Sequence, residues 1–150
     1  MHIGHKAVIE KASSCSLALS VFTFFSKDGK RGEKPLISPE EKLKLFETLS
    51  VKYCFMPDFS VIKNISGKDF FEKILVNKMS AKTVVCGEDF RFGVNAECGV
   101  NELGEFCKEF SVNLIVVPLV KLNGVKVSTT EIRKLIDNGE TEKANSYLGI

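Results

Sequence analysis

Residues 82–93 read KTVVCGEDFRFG. Thr83 to Cys86 form a short apolar, β-branched run, the signature of a buried strand. Gly87-Glu88-Asp89-Phe90-Arg91-Phe92-Gly93 then breaks the pattern: two glycines bracket two aromatics and three charges. A strand feeding straight into such a turn marks the carboxyl edge of a sheet, where open α/β sheets bind their ligands. Whether the rest of the chain builds that sheet decides the fold.

Strand and helix periods alternate on both sides of this stretch. Upstream, Lys6 to Ser14 is a helix candidate burying Val8, Ile9 and Ala12, and Leu17 to Phe25 is a near-continuous apolar run. Such a run suits a parallel strand covered on both faces. SKDGKRGEKPLI is an exposed loop. Ser38-Pro39-Glu40-Glu41 is a capping box with proline at the first helical position, opening a helix to about Leu49. VKYCFMP is the next strand, and a helix from about Gly67 to Asn77 buries Phe70, Phe71, Ile74 and Leu75. Downstream, Leu103, Phe106, Cys107 and Phe110 fall on one helical face, and NLIVVP is a strand. Asn123-Gly124 predicts a tight hairpin, and Asn138-Gly139 separates two final helices. This order predicts a doubly wound parallel α/β sheet in one domain, residues 1–150.

The totals agree with a soluble protein. The chain has 150 residues, 44% hydrophobic and 27% charged, with a net charge of +2. That charge is too mild, and too evenly spread, to argue for nucleic acid. The run CSLALSVFTFF is too short to span a membrane and lacks a cleavage site after it, so no membrane association is expected. Five cysteines show no C-x-x-C spacing, and Cys15, Cys54, Cys86 and Cys107 sit in apolar segments. They read as buried free thiols in a reducing, cytoplasmic setting, with no metal site.

Three places carry polar residues that the fold does not need. His2-Ile3-Gly4-His5 precedes the first helix; Gly4 permits close backbone approach to a phosphate, and two imidazoles can donate to phosphoryl oxygens. The plain alternative is a disordered terminus. Ser128-Thr129-Thr130-Glu131-Ile132-Arg133 has capping-box spacing, which by itself is only a helix start. Its threonines nonetheless fall in the first turn beside free backbone donors, and Arg133 adds a planar cationic fork one turn on. The third is GEDFRFG, whose aromatics and charges suit a planar heteroaromatic ligand, or else a surface turn with its phenylalanines packed inward.

Taken together, these three motifs resemble the nucleotidyltransferase superfamily. With FTF, LISPEEKLKLFETLSVKY, KTVVCGEDFRFG and VSTTEIRKLIDNGETEKANSYLG, the chain resembles the FMN adenylyltransferase (FAD synthetase) module of bacterial bifunctional riboflavin kinase/FAD synthetases. The resemblance implies a Rossmann-like nucleotidyltransferase fold and transfer of AMP from ATP to FMN, giving FAD and pyrophosphate with Mg2+. It implies catalytic roles for His2, His5 and Arg133, ATP binding by Gly4, Ser128, Thr129 and Thr130, and FMN binding by Phe24, Asp89 and Phe90. A riboflavin kinase domain in a longer parent chain is the implied partner.

The chain departs from the family pattern at two points. The family shows a strand and a Gly-x-Phe-Asp-Gly turn before His-x-Gly-His; here Met1 stands where that turn ends. After FTF the family continues with Pro-His-Pro, where this chain reads FSKDGKRG. The expectation is an N-terminally truncated module whose sheet lacks its first strand, with His2 and His5 poorly ordered and the isolated chain marginally stable and inactive. Two rival readings follow: an impaired flavin- or nucleotide-binding remnant, and a nucleotidyltransferase for another phosphorylated acceptor. KMSAK at 78–82 mimics a second motif of class I aminoacyl-tRNA synthetases, but it lies between a helix and a strand, away from any ATP.

Overall fold

The computed structural model describes residues 1–25 and 37–150. Most of the loop SKDGKRGEKPLI, including the stretch replacing Pro-His-Pro, lies outside the described residues. The chain builds two parallel strand pairs, each closed by a crossover. β1 (Ser20–Phe22) pairs with β2 (Tyr53–Phe55), Val21 opposite Cys54. β3 (Thr83–Gly87) pairs with β4 (Asn113–Val117), Val85 opposite Ile115. The second crossover carries α5 (Val100–Glu109), which buries Leu103 and Cys107, one turn apart on its inner face.

The first crossover carries α2 (Pro39–Thr48), and its start is the expected capping box. The Ser38 hydroxyl accepts from the Glu41 N–H at 3.1 Å, while the Glu41 carboxylate accepts from the Ser38 N–H at 2.7 Å. Beyond β1 the pairing thins to single contacts. The Thr23 N–H donates to Phe55, the Phe25 N–H to Pro57, and Phe25 bridges Asp58 in parallel. The strand expected over Leu17 to Phe25 is therefore three residues long; Leu17, with no partner strand beside it, is 53% exposed.

Among the described residues β1 and β3 do not pair. The expected gap in the sheet is present, and packing joins the two halves across it. Phe22 of β1 sets its edge against Phe70, centroids 4.9 Å apart at 78°. It thereby joins a core built on Phe71, Leu75, Cys86, Phe92 and Leu103.

The first helix corrects the expectation that His2 and His5 are poorly ordered. α1 (Ile3–Ser13) starts three residues earlier than expected and packs against β3 and β4. Its first turn is also held by the far end of the chain. The Lys6 ammonium donates to the Gly149 carbonyl at 3.2 Å, and Ile3 packs on a second cluster of Val127, Ile132, Leu135, Ala144 and Tyr147. That cluster belongs to α6 (Thr129–Asp137), α7 (Thr141–Leu148) and the segment before them.

The hairpin forms where expected: β5 (Lys121–Leu122) and β6 (Val125–Lys126) meet at Asn123-Gly124, both at positive φ. The segment from Gly67 differs in winding. Short helices α3 (Phe59–Ile62) and α4 (Gly67–Asp69) precede a π-helical stretch, Phe70–Lys78, which buries Phe70, Phe71 and Leu75. The cysteines need one correction. Cys98, which lies in no apolar segment, is buried with Cys86 and Cys107, while Cys15 and Cys54, expected to be buried, are only partly covered. The cause is an antiparallel bridge between Phe92 and Cys98 that folds the turn back onto Gly67. Among the described residues no helix is long and apolar enough to cross a membrane.

Candidate active site

His2 is the N-cap of α1, in extended backbone conformation. Its ring folds back over Gly4, and a Cβ at position 4 would stand 3.0 Å from the imidazole. Glycine leaves room here for a local reason: a side chain at this position would press on the His2 ring and oblige it to shift. The His2 and His5 rings stack with centroids 3.8 Å apart, and the His2 N–H donates to His5 Nδ1 at 3.4 Å. His2 is 9% exposed, and its Nδ1 is buried without a partner among the described residues. A buried, unpaired nitrogen is costly unless something else supplies its hydrogen bond.

Burial lowers the pKa of both histidines to about 4, and surrounding positive charge adds to it. The N-terminal amine and Lys126 act on His2; His2, the amine and Lys42 act on His5. Asp89 opposes the shift on both. His5 keeps an exposed face, where water moderates the effect. At neutral pH the pair is uncharged and set among cations, an arrangement suited to receive negative charge.

The other two motifs close on this pair. Asp89, just past the carboxyl end of β3, forms a 2.5 Å ion pair with Lys126 at the end of β6. The next residue, Val127, puts its carbonyl 3.9 Å from where a Gly4 Cβ would be. α6 starts directly afterwards. The Ser128 hydroxyl accepts from the Glu131 N–H at 3.2 Å, but the Glu131 carboxylate turns toward Lys134 instead of completing the box. Thr129 and Thr130 lie in the first turn of α6, and Arg133 is partly buried one turn on.

Beyond β1, Phe24 and Phe59 form a tilted aromatic pair, centroids 5.0 Å apart. From α2, the Lys42 ammonium reaches the Thr23 hydroxyl at 3.4 Å and the Phe24 carbonyl at 3.5 Å. Phe90 does not join this side. It stacks on Phe92 at 5.4 Å and packs against the core. Arg91 lies against Gly99 at the start of α5, where its charge helps hold the Glu102 carboxyl low, behind hydrogen bonding to backbone N–H groups. Asp89 pairs with Lys126, and its charge acts on both histidines. Lys42, Thr23, Phe59 and Lys126 were not singled out in the sequence. Thr23 and Lys42 stand in stretches that carry the family resemblance, but nothing marked them as site residues, and they meet only in the fold.

Among the described residues no cluster of three His, Cys, Asp or Glu side chains could hold a metal ion.

Two parallel strand pairs with helical crossovers, and a first helix whose start lies beside the segment that opens α6, define a Rossmann-like α/β domain of the nucleotidyltransferase type. Within that class the chain belongs to the FAD synthetase family, whose pattern matches residues 1–131. It is 34% identical over 87 residues to a bifunctional riboflavin kinase/FMN adenylyltransferase of Buchnera aphidicola subsp. Acyrthosiphon pisum, covering 58% of this chain and 28% of that protein. It is 26% identical to a FAD synthetase of Listeria monocytogenes over 99% of this chain and 64% of that one. Of four further bifunctional relatives it spans about half the length. A solved structure titled macrolide-efflux protein, from Streptococcus pneumoniae, superposes with a TM-score of 0.83 at 26% identity, over 99% of this chain and 51% of that one.

Proposed function

We propose that this domain is an FMN adenylyltransferase: it joins FMN and ATP into FAD and releases pyrophosphate. One observation carries the reading. The buried imidazole of His2, its Nδ1 without a partner among the described residues, lies over Gly4 beside Asp89–Lys126 and the start of α6, so the three motifs share one anion-receptive corner. In the reaction an FMN phosphate oxygen attacks the α-phosphorus of ATP in line, and the bond to the departing pyrophosphate breaks. No covalent enzyme intermediate is needed. His2 and His5 donate to the phosphoryl oxygens as charge moves. Ser128, Thr129, Thr130 and the free N–H groups of α6 cradle the triphosphate with Gly4, and Arg133 supplies a fork for the leaving group. Catalysis is then positioning plus charge neutralisation.

Magnesium enters, on this reading, with the nucleotide substrate, and no step is routed through a protein-bound ion. The flavin lies toward Phe24, with Phe59 beside it. Phe90 stacks on Phe92 against the core, so the flavin contacts on this reading fall to Phe24 and Phe59. Asp89 orders Lys126 against the phosphates. The setting is cytoplasmic, in keeping with five free thiols, and the riboflavin kinase activity named for the relatives would belong to another part of a longer chain.

The test is direct: incubate the protein with FMN, α-labelled ATP and magnesium, and follow label into FAD. The divided sheet favours a second reading, a site that binds without turnover. Calorimetry with FMN and ATP beside the activity assay separates the two, since binding without product is the signature of the second. Transfer to another phosphorylated acceptor predicts product from a different substrate and none from FMN.

A further inference from the structure

Lys42 projects from the inner side of α2, partly buried, toward the carboxyl end of β1. An ammonium has three donors. Two are engaged, at 3.4 Å to the Thr23 hydroxyl and 3.5 Å to the Phe24 carbonyl, both long for hydrogen bonds. Among the described residues Lys42 has no carboxylate partner, and burial lowers its pKa. Its charge is felt at the His5 ring. A partly desolvated cation without a counter-anion is unfavourable in isolation, and its surroundings say which anion would relieve it. One side is the Phe24–Phe59 aromatic pair; the other is the histidine corner. The anion therefore lies where an aromatic ligand's phosphate would meet the triphosphate.

We propose that Lys42 binds the phosphate monoester of the flavin acceptor, with Thr23 and the Phe24 carbonyl aiming its ammonium, and so makes the site select phosphorylated over unphosphorylated flavin. This rests on the adenylyltransferase reading and adds a residue to it. Bringing the acceptor phosphate next to the nucleotide also requires neutralising one of two mutually repelling anions, which a fixed ammonium supplies.

The test compares FMN with riboflavin, which lacks only the phosphate. Flavin fluorescence titrations would be run on the wild type, on Lys42→Met, and on Lys42→Gln, which keeps polar contacts without charge. Melting curves would accompany each. The proposal expects both variants to weaken FMN binding about tenfold while riboflavin and ATP binding stay within about twofold, and Lys42→Arg to recover most FMN affinity. Equal weakening of both flavins, or FMN affinity unchanged in a folded variant, overturns it. If only one substitution folds, that variant decides. Wild type that makes FAD while the Lys42 variants keep FMN affinity refutes this inference alone. Wild type that neither binds FMN nor makes FAD refutes the adenylyltransferase reading with it.

Discussion

The His2 ring lies across Gly4, so close that a single methyl group on residue 4 would meet it at 3.0 Å. Glycine and histidine here are one unit: the first has no side chain so that the second can fold over the helix start. Gly4→Ala should push the imidazole off its seat while adding helix propensity worth up to about 1 kcal/mol. The expected outcome is a melting temperature equal to or above wild type, with kcat/KM for FAD formation at least tenfold lower. Unaltered kinetics would mean the ring's position is irrelevant to the chemistry.

The same ring should make the fold acid-sensitive. Folded His2 titrates near about 4 against 6.5 unperturbed. Between those values the unfolded chain binds more protons, so stability is full above about pH 6.5 and falls as pH drops toward 4. From pH 7 to pH 5 the loss from His2 is about 2 kcal/mol. Urea midpoints at the two pH values measure it, and His2→Gln should flatten the difference. Bound triphosphate, by favouring charged imidazole, should flatten it as well.

Much of this was legible in the sequence where the signal is local. The Ser38–Glu41 box, the Asn123-Gly124 hairpin and the helix stop at Asn138-Gly139 each depend on neighbours within four residues, and each formed. Phe90 shows where local reading ends. GEDFRFG has the composition of a ligand-facing turn, but the Phe92–Cys98 bridge rotates its aromatics onto the core. Lys42 and Thr23 lie 19 residues apart and meet only because a crossover returns α2 to the end of β1. Nothing local announces such a pair. The histidines were expected to hang loose; docking of α1 on β3 and on the chain's last residues holds them instead.

Arg133 offers a separation of function from stability. Lys cannot reproduce a bidentate guanidinium fork, so Arg133→Lys should lower kcat/KM at least tenfold, about 1.4 kcal/mol of transition-state stabilisation. Its melting temperature should stay within about two degrees of wild type. Unchanged turnover with unchanged melting would reduce the residue to a helix-surface charge.

Gly67 should be as intolerant as any position in the core. A Cβ there would lie 2.3 Å from Cys98 Sγ, and its N–H donates to Glu97 at 2.8 Å. Gly67→Ala is expected to destabilise by about 2–3 kcal/mol through overpacking. Adding Cys98→Ala should return part of that loss, a positive coupling read from denaturant midpoints of the two single variants and the double. Simple additivity would show that the two groups do not compete for space.

The central claim is that the corner formed by His2, His5, Asp89, Lys126 and the start of α6 transfers AMP to FMN. The most direct measurement is the fate of α-labelled ATP mixed with FMN, magnesium and the purified protein, resolved by chromatography with flavin detection. The account predicts label in FAD, one pyrophosphate released for each FAD formed, and no labelled product when riboflavin replaces FMN. Label that never enters FAD, under conditions where a relative with FAD synthetase activity converts the same mixture, would contradict it.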